Sequence, residues 1–199
     1  MPNWCITNYV ITGREDEVAA VHKTLQKMNA RKSLLPNDWG SMWLGNIVRL
    51  LKKNWQKVYC RGWITDFNLV APDRIDVSVE SAWHELDEVR MLVQSNSESL
   101  RIYYQSEEPG MCIFQTNDTT GTYFPERYLL DFCDEERNLY LWEYFTDLEA
   151  AADYISENCL RGKELEPTMT AINAALDQEQ EEHPDAVSFM FEEFDVVED

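Results

Sequence analysis

Hydrophobic and polar residues alternate most regularly in the segment RIDVSVESAW, residues 74–83. The apolar residues take every second position and polar residues stand between them: Ile75, Val77 and Val79, against Asp76, Ser78 and Glu80. A period of two is typical of a strand that buries one face and wets the other. We expect an inner strand whose apolar side lies under two helices.

Similar patterns predict the elements around this strand. Strands are expected over residues 4–12, 62–70, 100–105 and 111–116, and helices along the Val18–Met28 stripe and over residues 42–57 and 84–95. Thr12 and Glu15 have the spacing of a capping box before the first helix. Without the inserted second helix and the last strand, the order is βαββαβ, the ferredoxin-like split βαβ arrangement. In that arrangement strands one and three are central, and helices cover one face.

The opposite face of this predicted sheet is polar. It either binds a ligand or faces water. The candidate binding residues are the polar residues of the third and fourth strands, with two carboxylates expected on a turn at residues 107–110: Asp76, Ser78, Glu80, Arg101, Tyr103, Glu107 and Glu108.

The segment NDTTGT, residues 117–122, is the best boundary signal in the chain. Beyond it we predict a hairpin over residues 128–133 and 139–145, a helix over residues 147–160 behind a Thr146/Glu149 capping box, a helix with Pro167 at its first position, and a final strand from Val187. The fold class is therefore α+β: a ferredoxin-like sheet with an inserted helix, then an acidic α/β half. The domains are residues 1–117 and 123–199, and the second is either separate or packed on the first as one unit.

Charge is distributed unevenly along the 199 residues. The net charge is −20, yet residues 1–99 hold 12 Lys/Arg against 12 Asp/Glu, so the whole excess lies in residues 100–199. An acidic half is either a solvated surface or an attraction for a basic partner. Residues 49–61 form a basic island without any acidic residue, which is either a solvated face, a counterpart of the acidic half or a nucleic-acid patch.

No residue pattern points to a reaction. The five cysteines have wide spacings and form no CxxC pair, and His22, His84 and His183 lie in no ligand motif. We therefore expect no catalytic residue, no metal site and no cofactor. The N-terminal residues lack the features of a signal peptide, and no apolar run is long enough for a membrane span, so a cytoplasmic protein without a membrane contact is expected.

Three segments resemble the family built on the YubB ferredoxin-like domain of bacterial plasmids, phages and other mobile elements. They are MPNWCITNYVITG, WITDFNLVAPDRIDVSVESAW and YYQSEEPGMCIF, and the shared features are Asn3-Trp4-Cys5, Ser81-Ala82-Trp83 and Glu108-Pro109-Gly110-Met111. The resemblance covers about residues 1–116. It implies a ferredoxin-like fold and carries no activity and no catalytic residue to this chain.

These observations favour a non-enzymatic accessory module that binds another protein, because aromatic residues abound while catalytic motifs are missing. The alternatives are an acidic nucleic-acid mimic that acts on a host DNA-binding enzyme, and a carboxylate-based enzyme of unknown substrate. Direct nucleic-acid binding ranks last, since the basic island must overcome a net charge of −20. Fold alone decides none of these.

Overall fold

The structure, a computed structural model, describes residues 2–31, 35 and 37–198. It is α+β, as predicted. The chain divides into two compact units, Met1–Thr119 with Val196–Asp199, and Thr120–Asp195. The division lies within the Gly/Thr-rich segment 117–122. No helix of the described residues is long and apolar enough to cross a membrane.

The described elements follow in chain order. They are β1 (Trp4–Thr12), α1 (Glu15–Asn29), α2 (Leu44–Leu50), β2 (Gly62–Ala71), β3 (Arg74–Ala82), α3 (Asp87–Gln94), β4 (Arg101–Glu108), β5 (Ile113–Thr116), β6 (Tyr128–Asp134), β7 (Leu139–Phe145), α4 (Leu148–Asn158), α5 (Met169–Glu182), β8 (Val187–Glu193) and β9 (Asp195–Val196).

The first sheet has the strand order β2-β3-β1-β4-β5-β9, with β1 and β3 in its interior as predicted. The pairs β1–β3, β1–β4, β2–β3 and β4–β5 are antiparallel. Because β5 and β9 extend the sheet beyond four strands, the ferredoxin-like assignment stays a prediction. Tyr9 lies opposite Val77 and Tyr104, and Ile11 lies opposite Ile75 and Ile102, so the pairing places the apolar residues of three strands on one inner face.

Three helices, rather than the expected two, contribute to the core on this inner face. The buried cluster combines strand residues with Val18 and Leu25 of α1, Leu44 and Val48 of α2, and Val89 of α3. The helix predicted over residues 42–57 is therefore shorter than expected. It ends at Leu50, and only a single 3₁₀ turn, Trp55–Lys57, follows.

The backbone at Lys52 explains the early end of α2. Lys52 has φ of 60°, the left-handed conformation that stops a helix. Its N–H donates to the Arg49 carbonyl and the Lys53 N–H donates to the Val48 carbonyl, the two bonds of a Schellman motif. Glycine is the usual residue at such a helix end, so the lysine at this position did not indicate from sequence that the helix stops here.

Neither predicted capping box forms. The N-cap of α1 is Arg14, because Thr12 still pairs within β1. The N-cap of α4 is Asp147, whose carboxylate accepts a hydrogen bond from the Ala150 N–H at 2.9 Å. The N-cap of α5 is Thr168, so Pro167 precedes the cap instead of taking the first helical position.

The second unit contains a three-stranded sheet of order β7-β6-β8, in which β6 pairs antiparallel with both neighbours. The predicted β6–β7 hairpin is confirmed. Leu130, Phe132 and Phe191 from one face of this sheet form a buried core with Ile155 of α4 and Ile172 of α5. The first unit has a buried core of its own.

Candidate ligand-binding cavity

The strand register places most of the predicted binding residues on the outer face of the first sheet. In β3, Asp76, Ser78 and Glu80 alternate with buried residues. β1 lies between β3 and β4, so the outward residues of β3 and β4 flank those of β1 on the same face. That outer face also carries Arg101, Tyr103 and Glu107. Asp76 forms an ion pair with Arg74 at 2.7 Å, and Ser78 Oγ donates to Asn8 Oδ1 at 2.8 Å. These contacts join neighbouring residues of the strands.

Glu108 departs from the prediction. Residues 107 and 108 belong to β4 rather than to a solvated turn, so their side chains point to opposite faces. Glu108 is buried on the inner side, where its Oε1 accepts a hydrogen bond from the Gly110 N–H at 3.1 Å. The actual turn is a 3₁₀ turn, Pro109–Met111, which this carboxylate caps.

The three segments of the family resemblance meet at one end of the first sheet. Cys5 pairs with Ser81 and Trp4 with Ala82, and the Trp83 N–H donates to the Asn3 carbonyl at 2.9 Å. A Cβ atom added to Gly110 would lie 2.7 Å from Asn3 Nδ2, so any larger residue there would collide with that amide. This packing gives the three segments a common structural role.

Beside this junction the inner face of the sheet is polar and buried. Its members are Cys5, Thr7, Ser81, Ser106 and Glu108. In the described part of the chain, Ser106 Oγ and Glu108 Oε2 have no hydrogen-bond partner. Burial, with the charges of Glu85 and Glu108, raises the pKa of the Cys5 thiol to about 11. The thiol is therefore protonated at neutral pH and is a poor nucleophile.

A buried ion pair lies between this polar end and the apolar centre of the inner face. Arg90 Nε lies 3.2 Å from Glu85 Oε1, which also accepts a hydrogen bond from the Tyr9 hydroxyl at 2.7 Å. The Arg90 guanidinium lies over the Tyr104 ring, 4.8 Å from its centroid. Burial raises the pKa of Glu85, against the opposing effects of Arg90 and Tyr9.

An apolar cavity of about 340 Å³ lies between the inner sheet face and helices α1, α2 and α3. Its floor is the middle of the sheet, where Tyr9, Val77 and Ile102 line it. Its walls are apolar residues of the three helices: Val21, Ile47 and Val93. Among the described residues that line the cavity, Arg90 is the one cation. Ala20 and Asn96 line the cavity and are exposed, so it reaches solvent beside them.

In the part of the chain that the structure describes, Glu17 is the one carboxylate that lines the cavity, and it already has partners. It accepts hydrogen bonds from the N–H and hydroxyl of Ser99, and Arg14 Nη2 donates to it at 2.7 Å. Hydrogen bonds from Ser97 and Ser99 lower the pKa of this carboxyl. Glu17 therefore closes one side of the cavity as part of the α1 N-terminal structure.

Little in the amino-acid pattern predicts this cavity. The inward stripe of α3 was predicted through Leu86, Val89 and Val93, and the structure places these residues in or against the core. The amphipathic pattern of α3 gives no sign that Arg90 is buried. Its burial depends on its contacts with Glu85, before the helix, and Tyr104 of β4. A gap between three helices depends on their spacing, which hydrophobic periodicity does not encode.

Among the residues that the structure describes, no group of three or more His, Cys, Asp or Glu is placed to hold a metal ion. No family model, curated protein or solved structure matches the chain. The resemblance to the YubB-like family therefore stays a prediction.

Proposed function

We propose that the protein is a non-enzymatic binding protein whose first unit takes up a small, mainly apolar ligand. The observation that carries this proposal is the cavity of about 340 Å³ lined by apolar side chains under α1, α2 and α3. Ligand sites in proteins are typically apolar clefts of about 300–1,000 Å³ with a few polar groups that orient the ligand. Arg90 and Tyr9 are two polar residues of this lining.

The energetics favour occupancy of such a space. An apolar cavity of about 150 Å³ stays dry and binds benzene, so this larger cavity can take a larger apolar group. The ligand would regain the dispersion contacts that the lining side chains lack while the space is empty. Binding rather than catalysis fits the neighbouring groups, because Cys5 is held as a thiol and Glu85 is engaged by Tyr9 and Arg90.

The proposal is tested with the neutral dye phenylnaphthylamine, whose fluorescence increases in apolar surroundings. Ala20 and Ala19 are neighbouring exposed residues of α1, and of the two only Ala20 lines the cavity. We expect saturable binding to the unchanged protein, about tenfold weaker binding to Ala20→Phe, and unchanged binding to the control Ala19→Phe. Absence of saturable binding, or equal effects of both variants, would contradict the proposal.

A second candidate is the binding of another protein through β7. Alternate residues of this edge strand, Tyr140, Trp142 and Tyr144, are 66%, 43% and 38% exposed. Exposed Tyr and Trp are enriched at protein interfaces, and an edge strand can pair with an added strand. The second unit has 4 Lys/Arg against 20 Asp/Glu, a net charge of −16. Its complement is a basic extended segment of a partner protein.

This second candidate is tested by fluorescence anisotropy with a labelled peptide of alternating lysine and valine. We expect binding that weakens with salt and in Tyr140→Ala, while the control Tyr59→Ala, in the first unit, leaves it unchanged. Equal binding of a peptide of alternating glutamate and valine would contradict a basic partner.

The nucleic-acid mimic, the carboxylate enzyme, the mobile-element origin and the cytoplasmic location stay predictions from sequence. The mimic needs a row of carboxylates with the spacing of phosphates, and its support is the acidic half of the chain together with the resemblance to a mobile-element family. The enzyme needs converging acids, whereas Glu108 lies on the face opposite Asp76 and Glu80.

A further inference from the structure

A second depression, of about 410 Å³, adjoins the cavity at its solvent side. Three residues line both spaces: Thr24 of α1, Leu51 after α2, and Asn96 after α3. The two spaces differ in character. The cavity is lined mainly by apolar side chains, whereas the lining of the depression combines the apolar Met28, Leu50 and Leu51 with three cations: Lys27, Arg31 and Lys52.

The three cations are available to a ligand. All three are exposed, and in the described ranges of the chain no carboxylate forms an ion pair with them. Residues 40–64, which include Lys52, contain no Asp or Glu. The Schellman motif at the end of α2 fixes the backbone at Lys52, and the helix fixes Lys27. The basic island predicted from sequence therefore contributes to the rim of an apolar cavity.

We propose that the natural ligand is an amphiphile with one apolar chain and an anionic head, either a carboxylate or a phosphate. The chain occupies the cavity under α1, α2 and α3, and the head lies in the depression against Lys27, Arg31 and Lys52. This inference rests on the proposed function of the cavity and adds the charge and shape of its ligand.

Electrostatics support an anion at this mouth rather than elsewhere on the cavity. Charge-assisted hydrogen bonds from Lys and Arg to carboxylate or phosphate are about twice as strong as neutral ones. Glu17, the carboxylate of the lining, lies ten residues before Lys27 on α1, about 15 Å away along the helix axis. An anionic head at the Lys27 end thus avoids the one acidic group of the cavity wall.

The negative net charge of the protein makes this local set of cations more selective for the place where an anion binds. The chain as a whole carries a net charge of −20, so its surface repels anions in general. An anion that nevertheless binds must gain from a local set of cations together with burial of an apolar chain. Neither the attraction to the cations nor the burial of the alkyl chain is expected to give tight binding alone. Salt screens the exposed charges, and a neutral ligand has no charged group to contact the cations at the rim.

The test compares three ligands with the same chain: dodecanoate, dodecyl phosphate and dodecanol. Each ligand is titrated into the 199-residue protein by isothermal titration calorimetry and, separately, in competition with phenylnaphthylamine. We expect the two anions to bind about tenfold more tightly than dodecanol at low salt, with a smaller difference at high salt. Shortening the alkyl chain of the ligand should weaken its binding about fourfold for each buried methylene removed.

Matched charge reversals locate the head. Lys27→Glu/Arg31→Glu should abolish the preference for anions and leave binding of the neutral dye unchanged. The control Lys23→Glu/Lys57→Glu has the same change of net charge at exposed positions outside both spaces. It should retain most of the preference. A preference for dodecanoate or for dodecyl phosphate would identify the head as a carboxylate or a phosphate.

Three outcomes would overturn the inference. If dodecanol binds as tightly as both anions, or if both double variants reduce anion binding equally, the rim does not select the head. Binding of the neutral dye that depends on Ala20 would then still support the proposed function. If neither the dye nor any of the three ligands binds, the proposed function fails as well.

Discussion

Glu85 and Arg90 are among the few charged side chains buried in the first unit, with exposures of 5% and 6%. A buried ion pair has a desolvation cost that its attraction only partly offsets, so it adds little net stability by itself. The carboxylate of the pair instead orients two neighbouring side chains. Glu85 holds the Tyr9 hydroxyl and the Arg90 guanidinium, and both of these residues line the cavity.

Breaking this pair from one side should be costly. Glu85→Leu takes away the carboxylate opposite a buried guanidinium, and we expect a loss of about 3 kcal/mol in the free energy of unfolding. Glu85→Leu/Arg90→Met should be clearly more stable than Glu85→Leu, because the uncompensated charge is gone. Urea unfolding followed by tryptophan fluorescence reports on the first unit, which contains six of the seven tryptophans. Equal stability of the single and double variants would show that the pair is not coupled.

The cysteines should differ sharply in reactivity. Cys112 is exposed, whereas Cys5 and Cys159 are buried and burial raises their thiol pKa to about 11 and about 12. At pH 8 a disulfide reagent should modify Cys112 first, and Cys112→Ser should remove this fast phase. Rapid modification of Cys5 in the folded protein would contradict the described packing.

The same shift has a consequence for stability. In the folded protein the Cys5 thiol keeps its proton to higher pH than the unfolded chain, whose thiol has its ordinary pKa of 9.0. Stability should therefore fall as pH rises between about 9 and 11, because only the unfolded state loses this proton there. Cys5→Ala should reduce that dependence in urea unfolding measured across this range.

At the scale of elements, hydrogen bonds at the helix ends determine where the helices begin and end. α2 ends in a Schellman motif at Lys52, and this end brings Leu51 to the cavity and Lys52 to its rim. α4 and α5 begin at Asp147 and Thr168, whose side chains accept hydrogen bonds from Ala150 and Ala171. Each such cap satisfies a backbone N–H that the helix itself cannot pair.

The cap of α5 offers a matched pair of variants. Thr168→Ala removes the acceptor for the Ala171 N–H and should cost about 1 kcal/mol of stability. Thr170→Ala, two residues later within the helix, should be neutral or slightly stabilising, since alanine has the higher helix propensity. Thermal unfolding monitored by circular dichroism measures both. Equal effects would mean that the Thr168 hydroxyl is not a functional cap.

Much of the first unit could be predicted from sequence because its strands alternate clearly. The period of two from Ile75 to Val79 fixed both the strand and the face that it buries, and the register then placed Asp76 and Arg101 on the outer face. Helix ends were predicted less well, since a capping box at Thr12 competes with strand pairing of that same residue. The cavity could not be predicted, because it depends on distances between helices that are far apart in sequence.

At the scale of the whole molecule, the charge is concentrated in one unit. The second unit has a net charge of −16, and the first, with 13 Lys/Arg against 17 Asp/Glu, has −4. Self-repulsion among like charges opposes the compact state, and salt screens it. The second unit should therefore depend more strongly on ionic strength.

Hydrogen exchange at low and at high sodium chloride measures this difference. We expect amide protection in the core of the second unit, around Leu130 and Ile172, to increase with salt by more than protection around Val77 and Ile102 in the first. Equal changes in both units would show that the acidic charge is too well spaced to destabilise its unit.

Methyl NMR can show whether a ligand occupies the cavity of the first unit. Titration with dodecanoate should shift the methyl signals of Ile47, Val77 and Ile102, which line the cavity, and leave those of Leu130 and Ile172 in the second core unchanged. This result would place the apolar chain under α1, α2 and α3. Unchanged signals from the three cavity residues, with shifts confined to exposed methyl groups, would contradict the account.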